Sequence, residues 1–217
     1  MTEAIDTYWS FRSPYSYLAT PELLQLEADF AVTVNLRVVL PLAVRDKAAV
    51  FDPHNMKPAR YIGMDSKRRA EYLGMPFVFP PTPDPVVQDL ATFAVAEEQP
   101  YIYRLCKLGV EAQRRGHGLA FAAAVSKLIM GGTENWDQGD HLAQATASSG
   151  LDLQALEASI VEGDHLDEIE RNQQNLDAAG HWGVPTMVCR GEPFFGQDRI
   201  DTLRWRLDQY GLRRADA

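Results

Sequence analysis

Cysteine is scarce in this sequence, with Cys106 and Cys189 the only two among 217 residues. Cys106 falls in a helical pattern of apolar residues and Cys189 in an apolar strand pattern, so both are expected in or near the core. The pair does not form the Cys-x-x-Cys spacing of a dithiol oxidoreductase. Unpaired thiols are typical of a reducing compartment, so the sequence predicts a cytoplasmic protein without disulfide-exchange activity.

Long apolar runs and basic clusters are also missing. No run approaches ~20 apolar residues, so no segment is expected to span a membrane. The segment Met1–Ala4 lacks the basic and apolar regions of a secretory signal. The formal net charge of -9 argues against a nucleic-acid surface, which needs a clustered basic face.

The motifs of several enzyme classes are absent too. The five histidines are scattered without a His-x-x-x-His pair, so no bound metal is expected. The chain has no Gly-x-Ser-x-Gly, Walker or dinucleotide-binding glycine pattern. These absences argue against a metal hydrolase, an α/β-hydrolase and a nucleotide-binding enzyme.

A serine stands where a strand is expected to end and a helix to begin. Ala4–Trp9 is predicted to be a short strand, and Pro14 suits the first turn of a following helix. Ser13 therefore lies beside unpaired helix N–H groups, which favour a phosphate, carboxylate or thiolate. The spacing Ser13-x-x-Ser16 matches Cys-x-x-Cys in thioredoxin-type enzymes. Ser16 should satisfy its hydroxyl on the backbone, and Ser13 alone could be a simple N-cap.

A second motif near the C-terminus favours a functional interpretation. The segment 183–188 reads Gly-Val-Pro-Thr-Met-Val, and 196–199 reads Gly-Gln-Asp-Arg. Together with Ser-Pro-Tyr-Ser-Tyr-Leu-Ala at 13–19, this pair resembles the 2-hydroxychromene-2-carboxylate isomerases and kappa-class glutathione transferases. The resemblance runs over nearly the whole chain. It implies an α/β, thioredoxin-like fold related to DsbA, with a large helical insertion.

The order of predicted elements agrees with such a fold. Residues 1–41 and 171–217 are assigned to a discontinuous thioredoxin-like domain, and 42–170 to the helical insertion. Alternation predicts a strand at Ala31–Val39, and Pro21 is expected to kink or restart the first helix. The remaining predictions are a loop over a cleft at 44–55, helices at about 58–74, 85–98, 101–115, 119–130, 137–149, 152–162, 164–179 and 199–210, and strands at 184–189 and 193–195.

The resemblance implies a glutathione site. Val184-Pro185 takes the place of the cis-proline of the thioredoxin fold, and the Val184 backbone could pair with an extended peptide. Ser13 would donate a hydrogen bond to the glutathione thiolate. The further expected glutathione contacts are Pro185, Phe195, Gly196, Gln197 and Asp198. Alternatively, Pro185 is an ordinary strand-entry proline and Asp198 an N-cap of the last helix.

The substrate side of the site is defined less sharply by the motifs. Tyr61, Asp65, Arg68 and Tyr72 recur at steps of three and four, which places them on one helix face. Arg12 and Arg45 lie next to predicted cleft elements, and their positive charge favours an anionic substrate. Alternatively, both arginines simply pair with carboxylates on the protein surface. The candidate substrate contacts are Arg12, Arg45, Asn55, Tyr61 and Arg68.

These features predict a glutathione-dependent isomerase that acts on a small electrophilic substrate. A kappa-type glutathione transferase and a DsbA-like protein that binds peptides or thiols without catalysis are the alternatives. The resemblance also implies a homodimer.

Overall fold

A mixed four-stranded sheet forms the centre of the thioredoxin-like part of the molecule. The computed structural model describes residues 2–45, 54–89, 91–92 and 94–215. The strands are β1 (Glu3–Trp9), β2 (Val32–Val38), β3 (Thr186–Cys189) and β4 (Glu192–Phe195), in the order β2-β1-β3-β4. β1 pairs in parallel with β2 and antiparallel with β3, and β3 pairs antiparallel with β4. The predicted α/β, thioredoxin-like fold class is confirmed.

Nine α-helices are present in the described part of the chain. They are α1 (Pro14–Asp29), α2 (Leu42–Arg45), α3 (Lys57–Leu73), α4 (Ile102–Arg114), α5 (Gly118–Met130), α6 (His141–Ser148), α7 (Leu153–Ser159), α8 (His165–Ala178) and α9 (Ile200–Gln209). A 3₁₀ turn at Gln197–Arg199 leads into α9. The predicted β-α-β, helices, β-β-α order is confirmed, while the division into two domains stays a prediction.

The core joins the sheet to the helices on both sides of it. Ile5 and Trp9 of β1 are fully buried, and the ring of Phe11 meets that of Phe121 on α5 edge to face at 6.0 Å. Cys106 and Cys189 are buried free thiols, as expected. Burial of this apolar surface holds the start of α1 against the end of β1. None of the described helices is long and apolar enough to cross a membrane.

Local signals predicted several helix ends correctly. Pro58 lies in the first turn of α3, and Gly74 ends that helix in the left-handed conformation, with φ of 64°. α1, in contrast, runs through Pro21 without restarting. Pro21 has no N–H to donate to the Tyr17 carbonyl oxygen, and the Thr20 hydroxyl donates to that oxygen instead, at 2.7 Å. This replacement explains why the expected restart is absent.

The predicted helix at 85–98 is wrong. In the described residues of this segment, Asp89 N–H donates to Ala94 O at 2.9 Å and Ala96 N–H donates to Val87 O at 3.0 Å, which is a hairpin-like pairing. The carboxylate of Asp84, the residue before the predicted helix, binds Arg12. The predicted loop at 44–55 lies mostly outside the described residues, and its first two residues belong to α2.

Candidate active site

Ser13 caps α1 and still has a proton to donate. Its Oγ accepts a hydrogen bond from Ser16 N–H at 3.2 Å, and its backbone is extended, as an N-cap requires. The hydroxyl donates to Val184 O at 3.4 Å, which is long for an O–H···O bond. Ser13 is therefore an N-cap, as the simpler interpretation holds. The cap uses only a lone pair of Oγ, so the hydroxyl proton is held by the long bond to Val184 alone.

Ser16 behaves differently from the expectation. Its side chain is fully buried, and its Oγ has no hydrogen-bond partner within the described chain. The prediction that it bonds to the backbone is wrong. Ser16 also does not line the cavity next to Ser13.

The Val184–Pro185 peptide bond is cis, as the resemblance implies. The Val184 N–H forms no hydrogen bond with another described residue, and its carbonyl oxygen accepts only the long bond from Ser13. Pro185 O accepts from Gly196 N–H at 2.8 Å, which holds the segment after β4 against the start of β3. The result is a backbone edge next to Ser13 with hydrogen-bonding capacity left over.

A cavity of about 470 Å³ opens next to Ser13, and we call it the Ser13 cavity. Its walls are mostly apolar. They come from the residues before and at the start of α1, from 41–43, from the first turns of α3, from 79–80 and 88, and from 182–184 with 195. Its size and lining are those of a small-molecule site.

The structure brings some of the predicted site residues together and leaves others apart. Those that line the Ser13 cavity are Arg12, Ser13, Tyr61, Val184 and Phe195. Those that do not line it are Arg45, Asn55, Arg68, Pro185, Gly196, Gln197 and Asp198. The last four follow the cavity wall along the chain, so a peptide longer than the cavity could still reach them.

The positive charge of Arg12 is paired with the carboxylate of Asp84. Only 6% of its side chain is exposed, and its Nε and Nη2 donate to the two Asp84 carboxylate oxygens, each at 2.8 Å. This bidentate geometry is the strongest form of ion pair. The structure shows Arg12 paired with a carboxylate, and its contact with substrate stays a prediction.

Two other predicted cations are engaged outside the cavity. Arg45 donates to the carbonyl oxygens of Leu40, at 2.9 Å, and Trp182, and so ties the end of β2 to the segment before the cis-proline. Arg68 is 61% exposed and binds Asp65, three residues earlier on α3. Asn55 is exposed. Contact of these three residues with substrate stays a prediction.

Of the predicted glutathione contacts after β4, Gln197 is buried and Asp198 is exposed. The buried Gln197 side chain accepts from Arg69 Nε at 2.8 Å, so its amide is already engaged. Asp198 is 60% exposed and lies 3.3 Å from the Arg199 guanidinium. No side chain caps α9, so the prediction that Asp198 caps it is wrong.

An aromatic cluster borders the cavity, and Phe195 is its only member among the predicted site residues. Phe195 is 41% exposed and stacks on His181, with ring centroids 3.9 Å apart, while Trp182 stacks on the same imidazole at 5.5 Å. Burial lowers the pKa of His181, which favours a neutral ring in this stack. A Cβ at Gly183 would collide with the Phe195 ring, so a larger residue here would displace that ring from the stack.

Tyr15, Arg60 and Gln88 also line the cavity and were missed. The Tyr15 hydroxyl donates to Asp65 Oδ2 at 2.8 Å. Burial first, and then the Asp65 carboxylate, raises the pKa of Tyr15, so the phenol stays protonated at neutral pH. Tyr15 lies within the serine motif, and this proximity was the one available signal. Arg60 and Gln88 gave no local signal.

Comparison with known proteins agrees with this fold. The family model of the DSBA-like thioredoxin domain matches residues 4–208, and the chain belongs to that family. It is similar to two proteins described as 2-hydroxychromene-2-carboxylate isomerase. The protein from Sphingobium xenophagum is 27% identical over 207 residues, with 94% of this chain and 97% of that protein covered. The protein from Pseudomonas putida is 24% identical over 215 residues, with 98% of each covered.

A solved structure supports the same fold. The structure of a 2-hydroxychromene-2-carboxylate isomerase matches this chain with a TM-score of 0.68, at 23% identity and 95% coverage of both chains. The resemblance inferred from the motifs is thereby confirmed.

Proposed function

We propose that this protein is a glutathione-dependent isomerase of the 2-hydroxychromene-2-carboxylate isomerase type. The observation that carries the proposal is the position of the Ser13 hydroxyl. It lies at the start of α1 and lines the cavity, and its proton is held by a 3.4 Å bond. The full-length similarity to two isomerases supports the class of reaction.

The residues around Val184 fit an extended peptide such as glutathione. The Val184 N–H has no partner among the described residues and its carbonyl is weakly bonded, so both can pair with a peptide as if a strand were added. The exposed Asp198 carboxylate would take the ammonium group of the γ-glutamyl residue. Gln197 would contribute its backbone, because its side chain is bound to Arg69.

When bound, glutathione would supply a thiolate that adds reversibly to an electrophilic carbon and leaves after bond rotation. Ser13 would donate its hydroxyl proton in a hydrogen bond to that sulfur, while Oγ keeps the Ser16 N–H. The N-terminus of α1 adds a favourable field. A free thiol has a pKa near ~8.5, and lowering it by about two units corresponds to roughly 2.7 kcal/mol. One charge-assisted hydrogen bond together with a helix N-terminus can supply that much.

The mostly apolar cavity would perform two tasks. It excludes water from the reacting atoms, which strengthens the hydrogen bond from Ser13 because the local dielectric is low. It also holds the substrate by burial of apolar surface. A kappa-type transferase would use the same Ser13 and the same backbone edge, but the sulfur would stay on the product.

The test is calorimetry with glutathione, followed by conversion of 2-hydroxychromene-2-carboxylate with and without glutathione. We expect binding, conversion that depends on glutathione, and no glutathione consumed. Conjugate formation would favour the transferase, and binding without turnover would favour a noncatalytic thiol-binding protein. Absence of binding, or reduction of insulin disulfides, would contradict the proposal. The expected homodimer and cytoplasmic location stay predictions, and sedimentation would test the dimer.

A further inference from the structure

Most polar groups that line the Ser13 cavity already have partners within the protein. Arg12 is paired with Asp84, and the Tyr15 hydroxyl donates to Asp65. Ser10 Oγ accepts from the Arg12 N–H at 3.4 Å. These groups shape the wall, but their bonding capacity is largely used before a substrate arrives.

Arg60 is the exception among the cations of this wall. It is exposed, lies in the first turns of α3, and forms no salt bridge with a described residue. Arg68 and Arg69 on the same helix are both paired, with Asp65 and with Glu22 respectively. An arginine that forms no salt bridge within the described residues, on the wall of an apolar cavity, is suited to an anion brought by a ligand.

Gln88 is the second exception. It lines the cavity, and its Oε1 is buried without a hydrogen-bond partner within the described chain. Buried polar atoms are nearly always hydrogen-bonded, so one that is not calls for an explanation. A ligand hydroxyl or N–H would satisfy this amide, and a hydroxyl can pair with either end of it.

We propose that Arg60 and Gln88 determine substrate specificity in this cavity. Arg60 pairs with an anionic group, and Gln88 pairs with a hydroxyl or N–H on the same mostly apolar molecule. This inference rests on the proposed function, in that it takes the Ser13 cavity to be the substrate site. It assigns the recognition of negative charge to Arg60 in place of Arg12 and Arg45, because Arg60 lines the cavity and forms no salt bridge with any residue that the structure describes.

Three naphthalene probes separate the two contacts without any turnover. They are 3-hydroxy-2-naphthoate, which carries both groups, 2-naphthoate, which lacks the hydroxyl, and 2-naphthol, which lacks the carboxylate. Each is titrated by calorimetry, without glutathione, into wild type, Arg60→Met and Gln88→Met. Lys67→Met is the matched control, because Lys67 is an exposed cation on the same helix that does not line the cavity.

Each variant should weaken the binding of only those probes that carry the functional group its residue contacts. Arg60→Met should weaken both carboxylates about three- to tenfold and leave 2-naphthol unchanged, since a partly exposed ion pair contributes modestly. Gln88→Met should weaken the two hydroxylated probes about three- to tenfold and leave 2-naphthoate unchanged. Lys67→Met should change none of them.

Several results would overturn the inference. These are no binding of any probe to wild type, equal losses for all three probes, or a loss in Lys67→Met as large as in Arg60→Met. Glutathione is titrated separately into each variant. If Arg60→Met weakens glutathione binding instead of naphthoate binding, Arg60 belongs to the peptide subsite and the inference is wrong. If the probe pattern holds but glutathione never binds, the proposed function fails while the assignment of Arg60 and Gln88 stands.

Discussion

The Ser13 hydroxyl oxygen lies 3.4 Å from the carbonyl oxygen of Val184, the residue before the cis-proline. The same oxygen accepts the Ser16 N–H at 3.2 Å, which fixes the rotation of the side chain. A serine hydroxyl has one donor and two acceptor positions, so the helix cap and a bound thiolate do not compete. A thiolate next to Val184 would replace a long, neutral acceptor by a charged one, which is the stronger partner.

The buried Arg12–Asp84 pair should be costly to break from one side. Asp84→Ala leaves the almost fully buried Arg12 guanidinium without its carboxylate, and we expect the free energy of unfolding to fall by about 3 kcal/mol. The double variant Arg12→Met/Asp84→Leu should lose less, because it removes the buried guanidinium together with its carboxylate. Urea denaturation measures both.

The control for this pair is Asp208→Ala, which breaks the exposed pair between Arg213 and Asp208. Its cost should be much smaller than that of Asp84→Ala, because exposed ion pairs contribute little to stability. If the double variant proves as unstable as Asp84→Ala, the loss comes from packing around residues 84–88 and not from removal of the Asp84 carboxylate from Arg12.

The Tyr15–Asp65 hydrogen bond should give a stability difference that depends on pH. Burial raises the pKa of Asp65, but bonds from Arg68 and Tyr15 outweigh it and hold that pKa below its usual value. A carboxyl group with a lowered pKa stabilises the fold above its unfolded pKa of ~3.9, and this contribution is lost as pH falls through the folded value. Tyr15→Phe should therefore cost about 1 kcal/mol at pH 7 and progressively less in acid.

Urea denaturation of wild type and Tyr15→Phe over a series of decreasing pH values measures this difference. Tyr72→Phe is the matched control, since Tyr72 lies on α3 and is 78% exposed. It should have no effect at any pH. A Tyr15→Phe cost that is constant down to the acid limit would show that the lost hydrogen bond does not depend on the Asp65 charge.

The Thr20 hydroxyl should stabilise α1 because Pro21 follows it. Thr20→Val removes the donor to Tyr17 O, and we expect a loss of about 1 kcal/mol. In a Pro21→Ala background, residue 21 regains an N–H for the same oxygen, so Thr20→Val should cost less there. Equal costs in both backgrounds, measured by thermal denaturation, would contradict this account.

The sequence predicted those features whose causes are local. Ser13 could be placed between a strand and a helix because Pro14 and the alternation before it are neighbours in the chain. Pro58 and Gly74 defined α3 for the same reason. The cis-proline was placed by resemblance and not by local chemistry.

The sequence did not predict features that depend on contacts between residues far apart in the chain. Asp84-Pro85 has the form of a helix start, but the Asp84 carboxylate binds Arg12, 72 residues away, and the helix does not form. The helical pattern sets Arg68 apart, because Asp65 lies three residues before it on the same face. It does not separate Arg60 from Arg69, because the partner of Arg69 is Glu22, far along the chain. Arg60 forms no salt bridge in the described part of the chain, and this depends on the fold, so the sequence could not single it out.

Ser13, and not Ser16, should activate the thiol of bound glutathione. Ser13→Ala removes the donor to the sulfur and leaves the helix N-terminus, so the pKa of the bound thiol should rise by about one to two units. Ser16→Ala should leave that pKa unchanged, because the Ser16 hydroxyl is buried away from the cavity. Thiolate ultraviolet absorbance of the glutathione complex against pH measures the titration.

Stability measurements separate activation from helix capping. Ser13→Ala also removes an N-cap, which costs about 1 kcal/mol. Asp152→Ala is the control, because Asp152 caps α7 through Ala155 N–H at 2.7 Å and lies outside the cavity. It should lose similar stability without moving the thiol titration. Ser16→Ala should keep or gain stability, since its buried hydroxyl has no partner among the described residues. If Ser16→Ala moves the titration as far as Ser13→Ala, or if neither moves it, Ser13 is not the activating hydroxyl.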